Sequence, residues 1–305
     1  DSLSESYEDL EEMGKQALLS KDELKVRQKQ LKKEKKEKAK QQKSDKTEHD
    51  GKEKINKNLF VLDFNGSPMA KEVETLRKEI TAILCIAKPE DEVLVKVESG
   101  GGVVHGYGLA ASQLKRIKDK GLKLTISVDK VAASGGYMMA CVADKVIAAP
   151  FAIIGSIGVI AQLPNFNKLL KKNDVDFEMH TAGDFKRTIT MFGENTDEGR
   201  AKFKSELEEV HGMFKSFVTD NRPDLDIDKV ATGEYWYGTK ALELKLVDEI
   251  QTSDDFLLKS KDDFKMFTLK YASKKTLAQK LGFAVSEGIE NGISKILTHA
   301  RTWHI

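Results

Sequence analysis

Cysteine is nearly absent from this chain. Its 305 residues hold two, Cys85 and Cys141, in apolar surroundings and at no metal-ligand spacing. That argues against a cysteine-held metal centre and predicts free, buried thiols; it leaves the redox compartment open. An excess of either charge is lacking too. Fifty Lys and Arg stand against 49 Asp and Glu, a formal net charge of +1, so no global field draws the chain to nucleic acid or anionic lipid. No uninterrupted apolar run reaches the roughly 18–20 residues that span a bilayer. There is no internal repeat. The sequence opens at Asp1 with neither Met nor a signal-peptide pattern, which implies a natural start lying upstream.

What is present is unevenly distributed. Residues 21–57 are crowded with Lys and Glu and nearly free of apolar side chains, so they build no core. Acidic residues interleave throughout this run and no aromatic ring offers stacking, which argues against nucleic acid as a partner. Residues 1–58 read as a charged stalk with a weak helical stripe of Tyr7, Leu10, Met13, Ala17 and Leu18. The folded domain is expected over 59–272, and an amphipathic helical segment over 273–305. Within the domain, short apolar strands are predicted at 58–64, 93–97, 123–128 and 146–148, alternating with helical stretches such as Val73, Leu76, Ile80 and Ile83. That alternation predicts an α/β architecture with a parallel sheet and crossover helices. A further strand is expected to end at 178–181, with a long helix at 197–221, a small helix opening at Tyr235-Trp236-Tyr237-Gly238, and a late strand at 264–271.

Two small-residue turns fall at the carboxyl ends of predicted strands, where parallel sheets place their sites. They are Ser99-Gly100-Gly101-Gly102 and Ala132-Ala133-Ser134-Gly135-Gly136. Ser134 has almost no side-chain bulk around it, which suits a nucleophile, but a serine at a helix start is equally a simple N-cap. The glycine run suits an oxyanion hole or anion nest, or a plain strand-to-helix turn. It is no P-loop and no dinucleotide fingerprint, because neither Gly-Lys-Ser/Thr nor a correctly spaced third glycine follows. Two S-x-x-K strings, Ser112 to Lys115 and Ser127 to Lys130, lack the partner elements of penicillin-recognising enzymes. Of the histidines, His105 and His180 are near enough in the chain to approach the turns, whereas His211 falls on the more polar side of the long helix. Lys186, in Ala182-Gly183-Asp184-Phe185-Lys186-Arg187, is the other basic candidate. A lysine works as a base only when neutral, and burial favours that form; Phe185, Ile189, Met191 and Phe192 suggest a partly apolar pocket for it. A solvated surface lysine is the plainer alternative.

Taken together, Val131-Ala132-Ala133-Ser134-Gly135-Gly136-Tyr137-Met138-Met139-Ala140, Gly155-Ser156-Ile157-Gly158-Val159 and His180-Thr181-Ala182-Gly183-Asp184-Phe185-Lys186-Arg187 resemble the S49 family of serine peptidases. Val104 to Ala110 and Gly233 to Gly238 add to the likeness, which covers nearly the whole chain. The resemblance implies a ClpP/crotonase-like fold and a Ser-Lys dyad. Ser134 matches the nucleophile, Lys186 the general base, and Ser156 the hydroxyl that holds the lysine amine. Gly101 matches one oxyanion donor, with the N–H of Gly135 as its partner. Gly100 departs from the pattern, standing where relatives commonly carry proline, which leaves the turn more flexible. The resemblance further implies peptide substrates, no metal or other cofactor, a homo-oligomer, and an anchor upstream of residue 1 in a bacterial inner membrane, with the catalytic domain on the periplasmic side. A crotonase-like acyl-CoA enzyme and a non-catalytic membrane-associated scaffold are the alternative readings.

Overall fold

The computed structural model describes residues 1–20, 23–27, 29, 30, 33 and 57–272. The chain divides into Asp1–Lys270, which holds every element named below, and Tyr271–Ile305. The helical segment expected at 273–305 lies outside the described residues.

In chain order the strands are β1 (Asn58–Asn65), β2 (Glu92–Glu98), β3 (Lys123–Val128), β4 (Val131–Ala133), β5 (Lys145–Ala148), β6 (Ile153–Gly155), β7 (Tyr235–Tyr237), β8 (Glu249–Ile250) and β9 (Lys265–Thr268). The principal helices are α1 (Leu3–Ala17), α2 (Val73–Ile86), α3 (Val104–Asp119), α4 (Gly135–Ala140), α5 (Asn167–Lys172), α6 (Asp197–Asn221), α7 (Ile227–Val230), α8 (Gly238–Glu243) and α9 (Ser253–Ser260). Six strands form one sheet in the order β8-β5-β3-β2-β1-β9, every neighbouring pair parallel. A small second sheet, β4-β6-β7, pairs β4 with β6 in parallel and β6 with β7 antiparallel. This is the ClpP/crotonase-like α/β arrangement that the resemblance implied.

The central strands are buried on both faces, as near-continuous apolar runs require. On one face Phe60, Leu62, Val93, Val95, Leu124 and Ile126 join Leu76, Ile80 and Ile83 of α2 and Tyr107, Leu114 and Ile117 of α3 in the main core. Leu59, Val61, Leu94, Leu257 and Met266 form a smaller core on the opposite face.

The N-terminal segment takes part in that smaller core, which the stalk reading did not foresee. Leu3 and Tyr7 of α1 pack against it with Phe256 and Phe264. Ser2 pairs antiparallel with Phe267, and the Thr268 N–H donates to the Asp1 carbonyl at 2.9 Å. Met266 N–H donates to Ser4 Oγ at 2.9 Å. The physical reason is the edge strand: β9 exposes a row of unpaired backbone groups, and the first residues of the chain cover it.

Three other expectations change. Residues 178–181 form no strand. Tyr235-Trp236-Tyr237 is β7, with the helix starting only at Gly238. Cys85 is exposed, whereas Cys141 is buried and its thiol is pushed up to about 12 by burial. Among the described residues no helix is long and apolar enough to cross a membrane.

A polar clamp joins the late elements to α4. Tyr137 is fully buried on α4 and donates its hydroxyl to the Leu246 carbonyl at 2.9 Å. Nearby, Arg222 holds Asp248 in a two-pronged contact at 2.8 and 2.7 Å, and Asp248 also accepts the Val146 N–H at 2.7 Å. Burial alone raises the Asp248 pKa, but these hydrogen bonds outweigh it and hold the carboxyl below its ordinary range. A depressed carboxylate stabilises the fold above its unfolded pKa, and that contribution fades as pH falls through the folded value. Arg222→Ala is therefore expected to cost about 1–3 kcal/mol at neutral pH, the pair being only partly buried. Urea unfolding of parent and variant should show the difference shrinking as pH falls below the ordinary aspartate range.

Candidate active site

The site is assembled by a short backbone ladder. At the carboxyl end of β2, Ser99 pairs with Ala132 of β4: Ser99 N–H donates to Val131 O at 2.9 Å, and Ala133 N–H donates to Ser99 O at 3.0 Å. β4 in turn pairs with β6 in the register Ala133↔Gly155, and the Ser134 N–H donates to Gly155 O at 2.7 Å. This register sets Ser134 and Ser156 side by side, each one residue beyond its strand. Both are held at positive φ, 52° and 51°. That conformation is strained for a residue with a Cβ, and such strain persists where the surrounding structure enforces it.

Ser134 occupies the N-cap position of α4, yet its hydroxyl makes no capping bond. Of the two readings of this serine, the simple cap is therefore the weaker. The N–H of Gly135 opens the helix and has no intrahelical acceptor. Gly135 is also obligatory for packing: a Cβ there would lie 2.4 Å from Cγ of Tyr107.

The glycine turn lies against this helix start. Gly101, at φ +86°, comes so close that a Cβ on it would sit 2.6 Å from the Gly135 nitrogen. Its own N–H, expected to face an oxyanion, donates instead to Ser99 Oγ at 3.1 Å. The N–H of the next residue, Gly102, has no acceptor among the described residues, and Gly102 lines the same cavity. Ser99 Oγ is also in hydrogen-bond contact with the buried Tyr107 hydroxyl, which donates to Ser67 O at 2.8 Å. Burial pushes the Tyr107 phenol upward, so it remains a donor.

A cavity of about 650 Å³ opens over these groups. Gly100 to Gly102, Ser134, Gly135 and Ser156 form its polar floor, and Val104, Met138, Val159, Ile160 and Phe214 supply apolar walls. His211 lines it as well, with Nε2 3.2 Å from Ile157 O. Facing a carbonyl, that nitrogen carries the proton and donates. Helical periodicity had assigned His211 to the polar side of α6; the side that is only half buried is the side that meets the cavity. His105 and His180 are exposed and do not line it.

Lys186 is exposed and lies outside the cavity lining, so the apolar pocket expected around it is absent from the single chain. It sits in a turn where its N–H donates to Gly183 O at 3.2 Å. Its ammonium has no hydrogen-bond or ion-pair partner among the described residues. The turn belongs to an arm, residues 160–196, closed on itself by Asn165 Nδ2 donating to Thr190 O and Gly193 O at 2.9 and 3.0 Å. Phe192 packs with Phe166 and Phe177 at ring separations of 6.0 and 5.9 Å. The structure thus brings together Ser134, Gly101, Gly135 and Ser156, and leaves Lys186 apart.

Known proteins resemble this chain closely. It is 55% identical over 297 residues to "Probable protease SohB" of Haemophilus influenzae, covering 97% of this chain and 84% of that one. A protein of the same description from Buchnera aphidicola subsp. Schlechtendalia chinensis is 64% identical over 203 residues, 67% of each chain. A solved mutant of the "1510-N membrane-bound stomatin-specific protease" has a TM-score of 0.48 at 10% identity, covering 71% of this chain and 99% of that one, too slight a likeness to carry an argument. Two family models account for most of the sequence, "Peptidase family S49 N-terminal" over residues 1–114 and "Peptidase family S49" over 116–283. With the second match alone spanning more than half its length, the chain belongs to peptidase family S49 and is a serine-type peptidase.

Proposed function

We propose that this peptidase cleaves extended, apolar peptides such as signal peptides or membrane-protein fragments, using Ser134 as nucleophile and Lys186 as general base. Ser134 Oγ attacks the peptide carbonyl carbon while its proton passes to the neutral Lys186 amine. The resulting oxyanion is met by the Gly135 N–H and by the Gly101–Gly102 turn. Collapse breaks the C–N bond, and the Lys186 ammonium returns its proton to the leaving amine. Water then adds to the ester, again giving a proton to Lys186, and collapse releases the acid and restores the Ser134 hydroxyl. No cofactor enters the scheme. The observation that carries this reading is the strained Ser134, its hydroxyl uncapped, beside the free amide at the start of α4.

Ser156 supports the same reading, since the ladder sets it beside Ser134 in the lining of the same cavity, where its hydroxyl can accept a hydrogen bond from the arriving amine. Ser156→Ala is expected to lower kcat by about tenfold, far less than loss of the nucleophile. The amine must be delivered, because in the single chain Lys186 lies outside the cavity. A homo-oligomer that covers the apolar arm supplies that docking. Leu169 and Phe185 are 55% and 50% exposed on it, a cost that a second copy removes. The same proposal places the catalytic domain at an inner membrane, on its periplasmic side.

The test is covalent. A peptidyl fluorophosphonate should label Ser134, located by peptide mass mapping, and labelling should end turnover. An acyl-CoA enzyme or a scaffold on the same fold predicts no adduct at Ser134.

A further inference from the structure

We propose that Tyr107, acting through Ser99, is a positioning residue that fixes the glycine turn in its oxyanion-binding shape. The proposal rests on the peptidase mechanism above and adds to it a side chain that no part of that mechanism uses.

The turn needs an external restraint. Gly100 to Gly102 are three glycines in a row, each free to adopt either sign of φ. A Cβ at Gly100 would have nothing within 4 Å, so no neighbour confines that position. A proline at position 100 would hold the backbone by itself.

The hydroxyl pair supplies the restraint. Tyr107 has one proton and gives it to Ser67 O. Ser99 Oγ, which faces both the Tyr107 hydroxyl and the Gly66 carbonyl at 3.2 Å, has one proton to donate, and its lone pairs are left to accept. One accepts the Gly101 N–H at 3.1 Å. That bond fixes the plane of the peptide joining Gly100 and Gly101, and with it the positive φ that aims the following Gly102 amide. The same residue supports the other donor: the Tyr107 ring lies directly beneath Gly135, where even a Cβ would overlap it. Both ends of one buried side chain thus set the two amides that flank Ser134.

Tyr107→Phe, made in the full chain, keeps the ring under Gly135 and removes only the hydroxyl. It should lower kcat about 10–100-fold with KM within about twofold of the parent, because a misaimed oxyanion donor is felt in the transition state. Ser99→Ala should do the same, and Ser99→Thr, which keeps a hydroxyl, should recover most of the loss. The double variant Tyr107→Phe/Ser99→Ala should be no worse than the poorer single one, since both break one chain of bonds. The affinity of a peptide aldehyde should fall by the same factor as kcat, while that of a cleaved product peptide should not move. An unchanged kcat, a loss confined to KM, or losses that multiply in the double variant would each overturn the proposal. Ser134→Ala in the same assay separates the two levels. Activity persisting there sinks the nucleophile assignment, whereas activity lost there but retained in Tyr107→Phe sinks only the positioning role.

Discussion

Ser134→Ala should abolish peptide hydrolysis, lowering kcat by a factor on the order of 10⁴ or more, without unfolding the chain. The hydroxyl makes no capping bond, so its deletion breaks nothing in the resting fold. Alanine keeps the Cβ, so the strain at φ 52° remains and thermal stability should stay near that of the parent. Ser134→Gly sharpens the point. It is equally inactive but relieves the positive φ, and should be more stable than the alanine variant by about 1 kcal/mol. Turnover within a few-fold of the parent in either variant removes Ser134 from the chemistry. A glycine variant no more stable than the alanine one would show that the backbone is not stressed there.

Lys186→Ala and Lys186→Arg should be almost equally damaging, each lowering kcat by about 10²–10⁴-fold. Guanidinium stays protonated at any working pH and takes no proton from a serine. Rescue by arginine would reduce the role of Lys186 to electrostatics. The position of Lys186 outside the cavity makes a second measurement informative. Mixing Ser134→Ala chains with Lys186→Ala chains recovers activity if the amine comes from a neighbouring copy. It recovers none if each chain supplies its own. Either result locates the base, and light scattering on the same mixture gives the assembly size.

What the sequence disclosed was whatever local pattern governs. β1, β2 and β3 were legible because their apolar runs are buried on both faces, and the two small-residue turns because they end such strands. The open setting of Ser134 at a helix start was legible because Ala133 and Gly135 carry almost no side chain. What stayed hidden depended on partners far away in the chain. α1 looked like part of a stalk because the strand it covers, β9, lies some 260 positions later. His211 looked peripheral because a weakly amphipathic helix does not announce which of its sides meets a cavity. The Gly101 amide looked free because nothing local says that the Ser99 hydroxyl turns back to it. Cys85 and Lys186 were expected among apolar neighbours that are adjacent in sequence but do not enclose them.

The arm at residues 160–196 has a consequence for the enzyme's own survival. Beyond the short α5 it is held by asparagine side chains and ring contacts rather than by a strand ladder. Its amides should exchange with solvent long before those of β1 to β3. An irregular, apolar, accessible stretch of backbone also fits the substrate class proposed above. On the proposed mechanism, a chain standing alone is both an incomplete catalyst and a ready substrate. If further copies complete the one and conceal the other, as proposed, dilution should cost the enzyme its activity and its integrity together.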